Sequence, residues 1–206
     1  MTNNAYLCTV NSIMNEMKRT IITMMMMLTA SILFAQNADK LYEEGKALYD
    51  ADKYTEAIAK LKPAAEKGHK KAQYYMGRCY DKGHGVTEND KTAFSWYMKA
   101  AKQGHAKSQY QVGKCYKDGE GVEKDRKQAF SWFSKAAAQG NAKAELAVGK
   151  AYLKGKGVAA DQAKAKSWLK KAVTNEKDGD EILAELRKDK ADGDEDAKQI
   201  LQIVGK

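Results

Sequence analysis

HAKSQYQVGKCYKDGEGVEKDRKQAFSWFSKAAAQG, which runs from His105 to Gly140, is the stretch that decides the fold. A closely similar stretch lies directly before it, from His69 to Gly104, and a third begins directly after it at Asn141. The copies follow one another at a period of 36 residues, the separation of His69 and His105. A fixed period of this length is typical of a solenoid, in which each unit buries its apolar face only against its neighbours.

Each copy carries the pattern of two helices. In the first helix Ala72, Met76, Cys79 and Tyr80 recur at i, i+4, i+7 and i+8, which predicts one buried face. A Gly-x-Gly-Val sequence follows, and its first glycine is expected to end the helix in a left-handed conformation. The residues expected to cap the second helix are Asn89, Asp125 and Asp161, and Gln128 would complete a capping box with Asp125.

Glycine and tryptophan recur at fixed places in these helices. A glycine in mid-helix costs about 1 kcal/mol relative to alanine, so its repetition predicts that a neighbouring helix approaches too closely for a Cβ. These glycines are Gly77, Gly113 and Gly149. One tryptophan per repeat in the second helix is expected to supply the large buried side chain, at Trp96, Trp132 and Trp168.

The repeats divide the chain into six segments. They are a leader at 1–35, a divergent first repeat at 36–68, three full repeats at 69–104, 105–140 and 141–179, and C-terminal capping helices at 180–206. The formal net charge of +9 belongs to the three full repeats, which carry +4, +3 and +5, whereas the flanking segments 36–68 and 180–206 carry −1 and −3. A basic surface of this kind suggests an anionic partner.

The leader has the layout of a secretory signal peptide. Lys18 and Arg19 precede an apolar run from Ile21 to Phe34, and cleavage is expected after Ala35. The run is too short to span a bilayer comfortably, so no transmembrane segment is expected in the mature chain. The sequence therefore predicts a bacterial protein in the periplasm or outside the cell, which argues against nucleic acid as the partner.

The spacing of these positions resembles a known repeat family. The pattern Ala-x3-[Leu/Met/Val]-Gly-x2-Tyr-x2-Gly-x-Gly-Val-x2-Asp-x3-Ala-x2-Trp-x3-Ala-Ala-x2-Gly is similar to the Sel-one-like repeat (SLR), a relative of the tetratricopeptide repeat. The divergent first repeat looks more like the plain tetratricopeptide form. The resemblance implies an all-α fold, a right-handed α/α superhelix (solenoid) of helix-turn-helix repeats that scaffolds or binds other proteins.

In superhelices of this type the first helices of the repeats line the concave groove. Positions i, i+3 and i+7 of those helices share a face distinct from the buried one. The residues on that face are Tyr42 and Lys46; Lys71, Tyr74 and Arg78; Lys107, Tyr110 and Lys114; and Lys143, Leu146 and Lys150. We hypothesise that they form a basic, Tyr-lined groove for an acidic peptide or another anionic ligand. The alternative is that the lysines simply face solvent and the tyrosines are packing residues.

Other residues that could carry chemistry have simpler interpretations. Cys79 and Cys115 occupy the same repeat position, so they should lie about 8–10 Å or more apart and remain buried free thiols. His69 and His105 precede the first helices, where a capping or loop role fits, and no metal or other cofactor is expected. Ser167 and Lys170 match a short Ser-x-x-Lys pattern without its partner motifs, so no catalytic residue is assigned.

The leading interpretation is an exported, non-enzymatic interaction module, expected to be monomeric, that binds an unidentified protein or peptide in its concave groove. The alternative is a cell-wall-directed protein, either a peptidoglycan binder or a weak lactamase-like hydrolase. Only analogy with some secreted relatives and the basic groove suggest this alternative.

Overall fold

The computed structural model describes residues 2–205, except for the side chains of residues 2–13, 15 and 27–35. Within that range the chain forms ten helices and no strand. They are α1 Thr2–Asp50, α2 Tyr54–Glu66, α3 Lys70–Lys82, α4 Asp90–Lys102, α5 Ala106–Asp118, α6 Arg126–Ala137, α7 Ala142–Lys154, α8 Gln162–Val173, α9 Gly179–Ala191 and α10 Glu195–Val204. Each packs against the next helix in the chain, which confirms the all-α solenoid.

The helix ends follow the predicted chemistry. Gly83, Gly119 and Gly155 end α3, α5 and α7 with φ of 65°, 84° and 64°. Asp125 accepts hydrogen bonds from the backbone N–H groups of Lys127 and Gln128, so it caps α6. The expected capping box is not formed, because the Asp125 N–H instead donates to the carbonyl of Tyr116 at 2.9 Å. The loop is thereby bonded back to the first helix of its own repeat.

The mid-helix glycines allow the two helices of each repeat to pack closely. A Cβ built on Gly113 would lie 2.5 Å from the ring of Phe133, and one on Gly77 would lie 2.5 Å from the ring of Tyr97. Gly149 has the same relation to Leu169, at 2.7 Å. The prediction of a close helix approach is confirmed, and the side chain that requires the space is identified.

The prediction that tryptophan fills the core is wrong. Tyr97, Phe133 and Leu169, each one position after the tryptophan, are buried at 1%, 4% and 0% exposure. The tryptophans themselves, Trp96, Trp132 and Trp168, are only half-buried. The lysine three positions after each one lies over its ring, with the ammonium nitrogen 4.1, 4.0 and 4.9 Å from the ring centroid. The neighbouring residue takes the core position because it faces the glycine of the first helix.

The second glycine of each Gly-x-Gly-Val sequence joins one repeat to the preceding one. A Cβ on Gly121 would lie 2.2 Å from the carbonyl oxygen of Asp90, and one on Gly157 would lie 2.0 Å from that of Arg126. Both carbonyls belong to the first turn of a second helix in the preceding repeat. The loop therefore lies directly on backbone, where a side chain has no space.

A buried amide pair recurs between repeats. Gln109 donates to the carbonyl of Ala101 at 3.2 Å and accepts from Gln139 at 2.7 Å. In the third repeat the equivalent position holds Glu145, which is fully buried. Its carboxylate accepts from Asn175 at 3.2 Å and lies 2.9 Å from the ammonium group of Lys171. The charge in this one repeat is therefore balanced by a lysine that reaches in from the surface.

The two ends of the solenoid differ. Among the described side chains of α1, the first buried one is Ala38, followed by Tyr42 and Tyr49, whereas those from Glu16 to Met26 are all exposed. The expected cleavage position at Ala35 lies outside the described side chains. At the other end α9 and α10 complete an apolar cluster with α7 and α8. Among the described residues, no helix combines the length and apolar character needed to cross a membrane.

Candidate binding groove

The first helices α3, α5 and α7 bring part of the predicted residue set together. One cavity of about 470 Å³ is lined by Tyr74, Lys107, Tyr110, Lys114 and Lys143. Gln111 and Asn141 also line it, and Asp178 and Glu181 close it at the C-terminal end of the solenoid. We call this cavity the central cavity. It combines two tyrosine rings with three lysines.

The tyrosines of the central cavity are fixed by packing. Tyr74 is half-buried and lies 5.9 Å from the ring of Tyr97 and 5.1 Å from that of His105. Tyr110 is half-buried and lies 5.7 Å from the ring of Phe133. Burial raises the pKa of both phenol groups, so both stay neutral. The rings provide a rigid, neutral surface beside the cations.

A second, adjacent cavity of about 370 Å³ lies between α5 and α7. Its lining includes three residues of the predicted set, Tyr110, Lys114 and Lys150. We call it the α5–α7 cleft. Its floor is made of Phe130, Phe133 and small side chains of α6 and α7. The two cavities share Tyr110 and Lys114, so they adjoin each other.

The N-terminal members of the predicted set do not share that surface. Tyr42 is 5% exposed and stacks on His69 with ring centroids 4.5 Å apart, so its ring is a packing residue and not part of a groove wall. Burial raises the pKa of Tyr42 to about 12. Lys71 lies over the Tyr42 ring at 5.5 Å, and Lys46 is paired with Asp50.

Three further members of the predicted set contact other side chains of the protein. Arg78 lies 5.2 Å over the ring of Tyr49, which is buried. Leu146 is half-buried and packs against the apolar cluster that α9 and α10 complete. Lys143 does line the central cavity, but it donates to Glu181 at 3.0 Å, and this bond raises its pKa. The lysines of the central cavity that form no ion pair within the described residues are Lys107 and Lys114.

The cysteines and histidines have structural roles. Cys79 and Cys115 are buried free thiols, as predicted, and burial raises their pKa to about 11 and about 12. His69 accepts from the Ala72 N–H at 3.1 Å, which confirms its capping role. His105 makes no such bond and contacts the Ser108 hydroxyl instead. Among the side chains that the structure describes, no group of three or more His, Cys, Asp or Glu could hold a metal ion.

Comparison with known proteins accounts for this architecture. The family model of the Sel1 repeat matches residues 70–105, 106–141 and 142–175, which together are more than half of the chain. The chain belongs to the Sel1 repeat family. This is the Sel-one-like repeat that the sequence resembles, and Sel1 repeat proteins are protein–protein interaction scaffolds, in general without enzymatic activity.

Two solved Sel1-type structures are similar to this chain. A Sel1 repeat protein from Oxalobacter formigenes is 36% identical with a TM-score of 0.64, over 66% of this chain and 56% of that one. A protective antigen of uropathogenic Escherichia coli with an SLR fold is 28% identical with a TM-score of 0.66, over 82% of this chain and 38% of that one. This chain thus spans 56% and 38% of the length of these two relatives. No curated protein matches the chain.

Sequence reasoning missed the acidic side of the groove. Asp178 and Glu181 close the central cavity although they lie after the residues that the Sel1 family model matches and more than 60 residues after Tyr110. The net charge of −3 over residues 180–206, opposite in sign to the repeats, was the signal that could have placed Glu181 there. Asp178 belongs to segment 141–179, which carries +5, so the charge pattern did not point to it. Gln111 was missed because the i, i+3, i+7 pattern excludes it.

His105 should make the stability of the protein depend on pH. Burial, together with the positive charges of Lys70, Lys107, Lys71 and His69, lowers its pKa to about 4, whereas an unfolded histidine titrates near pH 6.5. Below pH 6.5 the unfolded chain binds the extra proton, so the free energy of unfolding should fall as the pH falls from about 6.5 to about 4. The full shift would correspond to about 3 kcal/mol, and because the ring is only partly buried and solvent screens the lysines we expect about 1–2 kcal/mol.

The measurement is urea unfolding between pH 4 and 7 for the wild type and His105→Asn, the residue that the third repeat carries at Asn141. Between pH 7 and pH 4 the free energy of unfolding of the variant should fall by about 1–2 kcal/mol less than that of the wild type. The comparison removes the contribution of carboxylates, which both proteins share. Identical pH profiles would show that His105 does not titrate in this way.

Proposed function

We propose that this chain is an exported interaction module that binds an acidic segment of another protein in its concave groove. The observation that supports the proposal is the central cavity, where Tyr74 and Tyr110 lie beside Lys107 and Lys114. Membership of the Sel1 repeat family supports a protein as the partner. The charge of the repeats supports an acidic one.

The central cavity has the composition of a binding site for a peptide. Rigid tyrosine rings lose little conformational entropy on binding and supply contact area, which is why aromatic residues are frequent in binding hot spots. Lysines at the edge add complementary charge, which increases the association rate and the selectivity more than the affinity. Lys107 is exposed and Lys114 is half-buried, so both can reach an incoming carboxylate.

Export is the second part of the proposal. The described side chains of α1 from Glu16 to Met26 are exposed, whereas Asn37, which accepts a hydrogen bond from Lys67, and the buried Ala38 both lie after the expected cleavage position. Removal of a leader that ends at Ala35 would therefore cost the fold none of the described contacts of Tyr42 or Tyr49. We expect the protein recovered from bacterial periplasm or medium to begin at Gln36, as determined by mass spectrometry of the intact chain. A mature protein that retains Met17 to Phe34 would contradict export by signal cleavage.

The binding test uses a photo-crosslinking residue at Gln111, which lines the central cavity. Lys166, which is exposed on α8, carries the crosslinker in the control. We expect a protein adduct from Gln111 that is absent from Lys166. Changing Lys107 and Lys114 to glutamate should reduce the Gln111 adduct at least tenfold, because two attractive charges become repulsive.

Changing Lys166 and Lys170 to glutamate alters the net charge equally on exposed positions of α8 and should leave the adduct intact. Equal loss in both double variants would show that net charge alone matters, which contradicts a groove site. Retention on purified peptidoglycan that depends on Lys107 and Lys114, without any protein adduct, would instead favour the cell-wall interpretation.

A further inference from the structure

The α5–α7 cleft carries an unusual excess of unpaired positive charge. Its lining includes Lys114, Lys124, Arg126, Lys150 and Lys156, and in the part of the chain that the structure describes none of these five lies in an ion pair with a carboxylate. Two more lysines of the lining are neutralised, Lys117 by Asp118 and Lys154 by Asp196. Like charges that share one cavity repel each other, so an anion in the cleft would relieve that repulsion.

One of the two carboxylates in the cleft comes from outside the repeats. Asp196 lies on α10, in the C-terminal cap, and accepts from the ammonium group of Lys154 on α7. That bond lowers the pKa of the Asp196 carboxyl, and Lys154, Lys150 and Lys156 lower it further by their charge. The cluster of lysines therefore already stabilises one carboxylate at its edge, supplied by the protein itself.

The floor of the cleft is apolar. Phe130 is half-buried, with its ring 5.3 Å from that of Tyr152, and it lies beside Ala147 and Ala151. The cavity volume of about 370 Å³ is large enough for one aromatic or large aliphatic side chain together with its flanking residues. An anion without apolar atoms would leave this floor exposed to water.

We propose that the α5–α7 cleft binds a peptide segment in which carboxylate side chains flank an aromatic or large aliphatic residue. The apolar residue lies on Phe130 and the alanines, and the carboxylates reach Lys124 and Lys156, which belong to the loops after α5 and α7. This proposal rests on the proposed function and names the ligand chemistry of one part of the groove. Lys124 and Lys156 do not line the central cavity, so the two sites can be tested separately.

The experiment measures binding of a fluorescent peptide, Gly-Ser-Asp-Glu-Phe-Glu-Asp-Ser-Gly, to the full chain by anisotropy. We expect the peptide with Asn and Gln in place of its acidic residues to bind at least tenfold more weakly, and the peptide with Ser in place of Phe to bind several-fold more weakly. Changing Lys124 and Lys156 to glutamate should weaken binding of the acidic peptide at least tenfold. Lys170→Glu, on the exposed face of α8, should leave it unchanged.

A matched pair of variants on α10 gives the reverse readout. Asp196→Asn frees Lys154 and should strengthen binding of the acidic peptide several-fold. Glu195→Gln removes the same charge from the adjacent, exposed residue, whose partner is Lys198. Neither Glu195 nor Lys198 lines the cleft, so this variant should bind the acidic peptide as the wild type does. An equal gain in both variants would contradict the proposal.

Three other results would also overturn it. In the first, the acidic peptide does not bind, and in the second, the acidic and amide peptides bind equally well. In the third, a single-stranded DNA oligonucleotide displaces the fluorescent acidic peptide at the same concentration at which unlabelled acidic peptide displaces it. If the cleft fails in this way while the Gln111 adduct still forms and depends on Lys107 and Lys114, the proposed function stands and only the cleft assignment is wrong.

Discussion

Gly157→Ala is expected to lower the free energy of unfolding by about 4 kcal/mol, the largest effect that we expect from a single methyl group in this protein. The backbone at Gly157 has φ of 79°, and a Cβ there would lie 2.0 Å from the carbonyl oxygen of Arg126 and 2.6 Å from its carbon. A left-handed conformation costs an L-residue about 1–2 kcal/mol. The remaining cost comes from the clash, because the neighbour is backbone of α6 and cannot rotate away.

Gly140→Ala is the matched control. Gly140 has φ of 77°, but no atom lies within 4 Å of where its Cβ would be. In this variant only the left-handed backbone conformation is unfavourable, and we expect the free energy of unfolding to fall by about 1–2 kcal/mol. Both are measured by urea unfolding followed by circular dichroism. Equal losses in the two variants would contradict the close contact between the third repeat and α6.

Because a solenoid is held together by contacts between neighbours, the defect at Gly157 should act locally. The clash separates the loop after α7 from α6, so we expect the C-terminal part of the chain to lose protection from hydrogen exchange before α3 and α4 do. Gly121→Ala, whose Cβ would lie 2.2 Å from the carbonyl oxygen of Asp90, should move this weak point one repeat towards the N-terminus.

Gln109→Glu is expected to lower the free energy of unfolding by about 2–3 kcal/mol at neutral pH. Gln109 is 6% exposed, donates to the carbonyl of Ala101 and accepts from Gln139. A carboxylate cannot donate, so it would face the carbonyl oxygen of Ala101 with like partial charge. Lys135, at the position equivalent to Lys171, lies 4.0 Å over the ring of Trp132 and would have to turn towards the new carboxylate, as Lys171 does towards Glu145.

Glu145→Gln makes the opposite exchange at the equivalent position and should change the free energy of unfolding by less than about 1 kcal/mol. It removes a fully buried charge and its pairing with Lys171 together, and such an exchange is often neutral or stabilising. Urea unfolding at pH 7 measures both variants. A loss at Glu145 as large as that at Gln109 would show that the ion pair stabilises the third repeat more than an amide would.

These two positions illustrate how far sequence reasoning reached. The 36-residue period identified the repeats, and the glycine and aspartate positions located the helix ends, because capping depends on residues within a few positions of one another. The same alignment shows glutamine, glutamine and glutamate at one position. Only the structure shows that this position is buried and that its partners are Gln139 and Asn175, each 30 residues further along the chain.

Part of the residue set predicted for the groove lines one cavity, and the rest of the set lies elsewhere. The face with lysine and tyrosine on the first helices does form a cavity around Tyr110. Tyr42 and Arg78 are removed from it by aromatic contacts within the N-terminal unit, and Leu146 is covered by the C-terminal cap. A helical periodicity gives the face on which a residue lies but not whether the next unit covers that face.

The sequence by itself determined the repeat, the helices with their caps, and the sign of the charge on the repeats, because these follow from local backbone chemistry and composition. Only the tertiary structure shows that Tyr97 and not Trp96 fills the core, because side chains of adjacent residues on a helix point in directions about 100° apart. It also decided that Glu181 and Asp196 reach Lys143 and Lys154 across 38 and 42 residues of chain. Such contacts depend on how successive repeats stack, and no local sequence pattern specifies which residues the stacking brings together.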